Sequence, residues 1–324
     1  IEGILLILLT VTNVRKLIVD AIPMNLKRAI GAGIGLYIAF IGLKSAGIIV
    51  SSEATSVTLG NLGDKTVILA LAGLVITSVL VITKVRGGML LGIIATTLIG
   101  IPMGVTHYGG IVSTPPSISE IFCQFEWGRI FSWDMLVVVF TFLFIDMFDT
   151  IGTVVGVSVK SGMVDEKGNV DGINRVLMAD SVATVAGAMF GTSTTTTYIE
   201  SASGVSEGGR TGLTSFVIAL CFAVALFFSP IFLAIPGAAT GPVLFIVGVM
   251  MMSPVKDIDW GDYSESIPAF VTMLLMPLAY SISDGIMLGM ISFVLLNAIS
   301  GKFRKISVMM WILALLFILR YILV

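Results

Sequence analysis

Charged residues are scarce in this 324-residue chain, since Asp, Glu, Lys and Arg together make up 12% of it. The net charge of -2 leaves no basic surface for nucleic acid. Two cysteines, Cys123 and Cys221, and one histidine, His107, are too few for a disulfide framework or a metal site. The apolar segments contain no histidine and no His-Glu-x-x-His pattern. These absences argue against an enzyme, and we expect neither a cofactor nor a metal.

Hydrophobic residues are abundant, at 56% of the chain, and the mean hydropathy is +1.07. This composition is typical of an all-α, polytopic membrane protein in the cell membrane, whose surroundings are the lipid bilayer. Segments near the ~20 residues needed to cross a bilayer are expected at 3–20, 30–50, 66–83, 87–101, 134–158, 174–190, 211–228, 232–252, 266–282 and 285–300. The apolar segment 307–324 could span the bilayer or lie at its interface.

Basic residues suggest an orientation for these segments. Arg15, Lys16, Lys27 and Arg28 fall in one connection, and further Lys and Arg residues fall in later connections on the same side. By the positive-inside tendency, this side is predicted to be cytoplasmic.

One membrane-depth segment is polar rather than apolar. It reads Gly191-Thr192-Ser193-Thr194-Thr195-Thr196-Thr197-Tyr198-Ile199-Glu200-Ser201-Ala202-Ser203-Gly204. Non-helical polar backbone at this depth is tolerated only where it is buried in protein or lines a cavity. We therefore expect 192–207 to be a short, broken helix that lines a solute site.

A second polar feature interrupts the apolar span 134–158. Asp146, Asp149, Thr150 and Thr153 are spaced i, i+3, i+4 and i+7, so they share one face of a helix. A charge near the bilayer centre costs roughly 2.5 to 3.5 kcal/mol, so this face should point into the protein and carry function. The alternative is that one Asp only caps a neighbouring broken helix or pairs with buried hydroxyls.

The chain also contains a weak internal repeat. Ala21-Ile22-Pro23 is echoed by Ala234-Ile235-Pro236, and Gly88 to Ile94 is echoed by Gly285 to Ile291, each about 200 residues later. The first motif lies on the basic side and its echo on the uncharged side, which predicts an inverted-topology repeat of the kind found in secondary transporters. Counting helices in the two copies predicts two seven-helix halves, the first three helices of which would precede Ile1.

Two long motifs resemble those of a known family. Phe-x-Asp-x-Phe-Asp-Thr-x-Gly-Thr at 144–153 and Gly-Thr-Ser-Thr-x-Thr-Thr-Tyr-x-Glu-Ser-x-Ser-Gly-Val-x-Glu-Gly-Gly-Arg-Thr-Gly-Leu at 191–213 resemble the AzgA-type adenine/guanine/hypoxanthine permeases of the nucleobase transporter group. The resemblance covers essentially the whole chain. It implies the uracil-permease fold, with inverted seven-helix repeats arranged as a core domain and a gate domain. It also implies a short strand within 192–207, followed by a half-helix that starts near Glu200.

The resemblance and the repeat together imply domain boundaries. The core would comprise 1–28 and 133–228, the gate 29–101 and 229–324 with the C-terminal apolar helix, and 102–132 would be a connecting loop.

The resemblance also implies the site. Substrate carboxylates fall on Asp149 and Glu200, with Asp146 as a second acidic candidate, and these three are the candidates for proton coupling. The other expected substrate-binding residues are Thr150, Thr153, Ser193, Thr194, Thr197 and Ser201.

The implied function is import of purine nucleobases by proton symport, with an elevator-like movement of the core against the gate and a homodimer formed through the gate. A carboxylate can accept two parallel hydrogen bonds from a purine edge, and a protonated carboxyl can donate one. The alternatives left open are a channel or transporter of the same fold for another nucleobase, an anion transporter, and sodium coupling.

Overall fold

The computed structural model describes residues 1–115, 117–125, 128, 132–165, 170, 172–198 and 200–323. Of these residues, 70% are helical. The α-helices are α1 Glu2–Val11, α2 Val14–Ala21, α3 Met24–Ser45, α4 Lys65–Ile82, α5 Gly88–Met103, α6 Trp133–Ser161, α7 Ile173–Met189, α8 Ser201–Ser206, α9 Gly212–Ala225, α10 Ser229–Leu233, α11 Gly237–Met251, α12 Tyr263–Leu278, α13 Ile282–Ile299 and α14 Val308–Leu323. The strands are β1 Ile49–Ser52 and β2 Ser56–Leu59, and short 3-10 helices cover Ser253–Asp257 and Phe303–Lys305.

Several helices are long and apolar enough to cross a membrane. Within the described residues they cover Met24–Ser45, Lys65–Ile82, Val138–Val159, Gly237–Asp257 and Ile282–Ile299. Shorter apolar helices cover Glu2–Val11, Gly88–Met103, Gly212–Ala225 and Val308–Ile322. The expectation of a polytopic helical protein is confirmed.

Polar caps fix where the long helices begin. The Asp64 side chain accepts from the Thr66 N–H ahead of α4, and the Ser281 side chain accepts from the Asp284 N–H ahead of α13. Each cap satisfies a backbone donor that the first helical turn leaves unpaired.

The expected span 3–20 is divided in two. Asn13 separates α1 from α2 and has a left-handed backbone, with φ of 61°. Asn tolerates this conformation better than most residues, because its short polar side chain can hydrogen-bond locally. The apolar pattern alone did not show this break.

The chain divides into two units. One comprises the described residues of 1–37, 117–202 and 251–324, and the other those of 38–116 and 203–250.

In the first unit, small residues allow close helix packing. A Cβ at Gly3 of α1 would lie 2.7 Å from Val185 Cγ2 of α7, and Gly31 of α3 faces Gly156 of α6. Helices α12 and α13 also pack together, with Gly285 against the α12 backbone. Such contacts are typical of membrane helices, where packing rather than the hydrophobic effect joins one helix to another.

In the second unit, α4 and α5 pack through paired glycine and threonine positions. Gly73 faces Thr96, and Gly92 faces Thr77. A small core of Ala46, Leu69, Ala70 and Ala238 lies at 0–1% exposure.

The only strands among the described residues lie outside the polar segment. β1 and β2 form an antiparallel hairpin that pairs Ile49 with Leu59. The strand expected in 192–207 is wrong: residues 191–198 are irregular, and α8 begins at Ser201. A strand requires a paired neighbour, whereas this segment bonds instead to hydroxyls of nearby helices: Thr196 to Thr150 of α6, and the Thr195 carbonyl to Thr184 of α7.

Candidate functional site

The polar face of α6 points into the first unit, as its helical spacing predicted. Asp146, Thr150 and Thr153 are 6%, 0% and 2% exposed, and Asp149 is partly buried. The helix places these side chains on successive turns of one face.

Thr150 connects α6 with α7 and with the threonine-rich segment. Its Oγ1 donates to both carboxylate oxygens of Asp180, at 3.1 and 3.2 Å, and lies 2.7 Å from Thr196 Oγ1. The structure therefore joins the two sequence motifs through a carboxylate that neither motif contains.

Asp180 is held by a buried cation. Arg15 on α2 approaches Asp180 Oδ2 at 3.2 Å, and the two side chains are 0% and 2% exposed. Arg15 also donates to Ser181 Oγ at 2.8 Å and to the Leu177 carbonyl at 3.1 Å. The sequence analysis placed Arg15 in a basic connection between spans. The structure corrects this: Arg15 lies on α2, and its side chain is fully buried beside Asp180.

Further bonds hold the threonine-rich segment against α1 and α7. Thr184 of α7 donates to the Thr195 carbonyl at 2.8 Å, and Thr194 donates to Glu2 Oε2 at 3.3 Å.

Gly187 lies opposite the Thr192 hydroxyl, where a side chain would not fit. Ser193 is exposed and Thr197 is partly buried.

Asp149 contacts the start of α13. Its Oδ1 accepts from the Ser283 backbone N–H at 3.0 Å and from Ser283 Oγ at 2.9 Å. Gly152, one turn later on α6, lets Ile282 approach this face. The carboxylate thus holds a helix N-terminus, which is one of the two alternatives that the sequence left open for it.

Glu200 and Ser201 lie at the start of α8 with exposed side chains. Ile199, which precedes them in the motif, lies outside the described residues. Their expected role in substrate binding stays a prediction.

Two concave spaces adjoin the buried network. One of about 360 Å³ is lined by Asp180 and by Thr195, Thr196 and Thr197. Another of about 620 Å³ is lined by Glu2, Thr184, Thr192 and Thr194, among others. Sites for small organic ligands have volumes of this order, roughly 300 to 1,000 Å³.

Sequence reasoning missed three buried charged residues: Glu2, Arg15 as a site residue, and Asp180. A charge inside an apolar helix is the signal that could have found Asp180 and Glu2. In the part of the chain that the structure describes, no three His, Cys, Asp or Glu side chains converge as they would to hold a metal ion.

Apolar helices around a buried polar network define a multi-pass membrane transporter. The chain matches the Permease family model, Xan_ur_permease, over residues 1–317, and it belongs to that family. It is therefore a permease of the cell membrane and not an enzyme.

The relatives and the fold agree with this membership. The chain is 44% identical to the guanine/hypoxanthine permease PbuO of Bacillus subtilis, over 98% of this chain and 75% of PbuO. It is 42% identical to the adenine permease AdeP of Escherichia coli, over 97% of this chain and 71% of AdeP. Its fold is similar to that of the transmembrane domain of the cyanobacterial bicarbonate transporter BicA, with a TM-score of 0.52 at 17% identity, covering 89% of this chain and 74% of that domain. This likeness supports the uracil-permease type of fold.

Proposed function

We propose that this permease transports purine nucleobases together with a proton. The observation that carries the proposal is the buried network of Thr150, Asp180 and Thr196, which joins the α6 carboxylate face to the threonine-rich segment beside two cavities. PbuO and AdeP, at 44% and 42% identity, are named for guanine, hypoxanthine and adenine.

The chemistry of the site suits a flat, polar base. Carboxylates accept the paired N–H groups of a purine edge, and threonine hydroxyls both donate and accept. Asp149, Asp146 and Glu200 are the proposed acidic groups, and Thr150, Thr153, Ser193, Thr194, Thr197 and Ser201 are the proposed polar partners. A buried carboxyl can also bind and release a proton in the cycle, which is why proton symport is preferred to sodium coupling.

The proposed movement is an elevator-like displacement of a core, 1–28 and 133–228, against a gate, 29–101 and 229–324. The internal repeats of the sequence support this division. A homodimer through the gate is part of the same proposal.

Uptake tests this function. The permease is expressed in cells without their own purine permeases, and uptake of radiolabelled hypoxanthine and adenine is measured with and without a proton gradient. We expect saturable uptake that collapses when the gradient is dissipated. Uptake that follows a sodium gradient would mean that sodium, and not a proton, is the coupled ion. Inhibition of uptake by bicarbonate but not by purines would mean that the substrate is not a purine.

Paired variants separate binding from anchoring at Asp149. Asp149→Asn and Glu200→Gln should abolish purine binding while the protein stays in the membrane. Ser283→Ala removes a donor to Asp149 but keeps the carboxylate, so it should retain binding. Equal loss of binding in Asp149→Asn and Ser283→Ala would make Asp149 a structural anchor rather than a substrate group.

A further inference from the structure

Glu2 and Asp146 form a carboxyl pair with two unsatisfied oxygens. Oε1 of Glu2 and Oδ2 of Asp146 are buried, and neither has a hydrogen-bond partner among the described residues. Glu2 lies on α1, which packs against α6, and the charges of Glu2 and Asp146 act on each other. Asp146 is 6% exposed.

The surrounding charges do not neutralise this pair. The charged groups near it are Arg15 on α2, Asp149 on α6 and Asp180 on α7. Arg15 already bonds to Asp180, and Asp149 accepts from Ser283. The threonine-rich segment, which also packs here, contributes the uncharged hydroxyl of Thr194.

One proton would serve both carboxyl groups. Two adjacent buried carboxylates cannot both stay ionised without a large cost, and they titrate as a pair rather than singly. A carboxyl O–H on one residue that donates to the other would pair the two groups and lower their joint charge from -2 to -1.

We propose that Glu2 and Asp146 together hold the transported proton, with Glu2 as a coupling residue that the sequence motifs do not contain. The proposal rests on the proposed purine transport. Loading forms one O–H bond with a proton from water, and release returns that proton to water on the other side.

Glu2 of this pair lies beside the proposed substrate segment. Thr194 donates to Glu2 Oε2 at 3.3 Å. The cavity of about 620 Å³ is lined by Glu2, Thr192 and Thr194. A base that contacts Thr194 or its neighbours would therefore be sensitive to the charge on Glu2. This contact gives proton loading a direct route to purine affinity.

The test is the pH dependence of purine binding. The dissociation constant of radiolabelled hypoxanthine is measured on the purified full-length protein, over the pH range in which the base itself does not ionise. In the wild type, Kd should be constant at acidic pH and rise by about tenfold per pH unit once the proton is lost. In Glu2→Gln, an amide N–H replaces the shared proton at the same net charge, so Kd should stay near its acidic value.

Matched variants guard against a merely structural effect. Glu53→Gln, at an exposed position between β1 and β2, should keep the wild-type profile. Glu2→Asp should keep a pH dependence with a displaced midpoint, because a titratable carboxyl remains. In the double variant Glu2→Gln/Asp146→Asn, the dependence of Kd on pH should be no weaker than in either single variant, since both substitutions act on the same proton.

The outcomes separate the two proposals. A wild-type pH profile in Glu2→Gln would overturn the role of Glu2 while leaving purine transport intact. An absence of purine binding in the wild type at every pH would instead refute the proposed function. If Glu2→Gln does not reach the membrane, Asp146→Asn takes its place in the test. A wild-type dependence of Kd on pH in Asp146→Asn would overturn the proposal that the two residues share one proton.

Discussion

At the scale of single residues, the Arg15–Asp180 pair fixes the electrostatics of the site. Both side chains are almost completely buried, and Asp180 also accepts from Thr150. A buried ion pair adds little net stability, but removal of one partner leaves an uncompensated charge in an apolar interior. Loss of Arg15 would therefore leave Asp180 without its ion-pair partner beside the threonine-rich segment.

Arg15→Met should destabilise the protein by about 3 to 5 kcal/mol, measured by thermal unfolding in detergent. Arg15→Met/Asp180→Leu, which removes both charges, should recover most of that loss. The control is Lys302→Met at the exposed Lys302–Asp262 pair, where a change below about 1 kcal/mol is expected. If the double variant were no more stable than the single one, the loss would come from packing and not from the stranded charge.

The residues that sequence reasoning identified differ in kind from those it missed. Asp146, Thr150 and Thr153 follow from helical spacing within one motif, and their burial is confirmed. Glu2, Arg15 and Asp180 lie far apart along the chain, and their roles depend on which helices meet. Arg15 in particular is indistinguishable in sequence from Lys16 and Arg28, whose side chains are less buried.

At the scale of elements, apolar length predicted most helices but not the irregular features. The expected spans 66–83, 87–101 and 285–300 correspond to α4, α5 and α13. The left-handed Asn13 and the hairpin β1–β2 follow from local backbone geometry that a hydropathy pattern does not record. The threonine segment looked like a strand because β-branched residues favour strands, yet tertiary hydrogen bonds determine its conformation.

The packing of α12 against α13 gives a prediction at this scale. A Cβ at Gly285 would lie 3.0 Å from the Met276 nitrogen and 3.0 Å from the Thr272 carbonyl oxygen, both backbone atoms that cannot rotate away. Gly285→Ala should therefore cost about 1 to 3 kcal/mol, seen as a lower melting temperature in detergent.

Gly212→Ala is its control. Gly212 opens α9 and has nothing within 4 Å of its added Cβ, so the substitution should be neutral or stabilise by up to about 1 kcal/mol. Equal effects at the two positions would show that helix propensity, and not close packing, decides the cost at Gly285.

At the scale of the whole molecule, the fold alone does not select the substrate. A bicarbonate transporter shares it at 17% identity, whereas PbuO and AdeP, at 44% and 42% identity, are named for guanine, hypoxanthine and adenine. Substrate choice therefore depends on side chains rather than on the arrangement of helices, and the proposed ones are the carboxylates of α6.

The proposed movement makes the contact between α6 and α13 a test of mechanism. In the proposed division α6 belongs to the core and α13 to the gate, so a moving core must break the Asp149–Ser283 bonds in each cycle. A Cβ at Gly152 would lie 3.2 Å from Ile282 Cγ2, so side chains at these two positions meet across α6 and α13.

With Cys123 and Cys221 replaced by Ser, oxidation of Gly152→Cys/Ile282→Cys should abolish uptake, and reduction should restore it. Purine binding should survive oxidation, because the disulfide fixes one state of the cycle without touching the threonine segment. Each single cysteine variant, treated with the same oxidant, is the control for damage. Uptake that persists in the crosslinked protein would mean that α6 and α13 travel together, and that the core and gate are divided elsewhere.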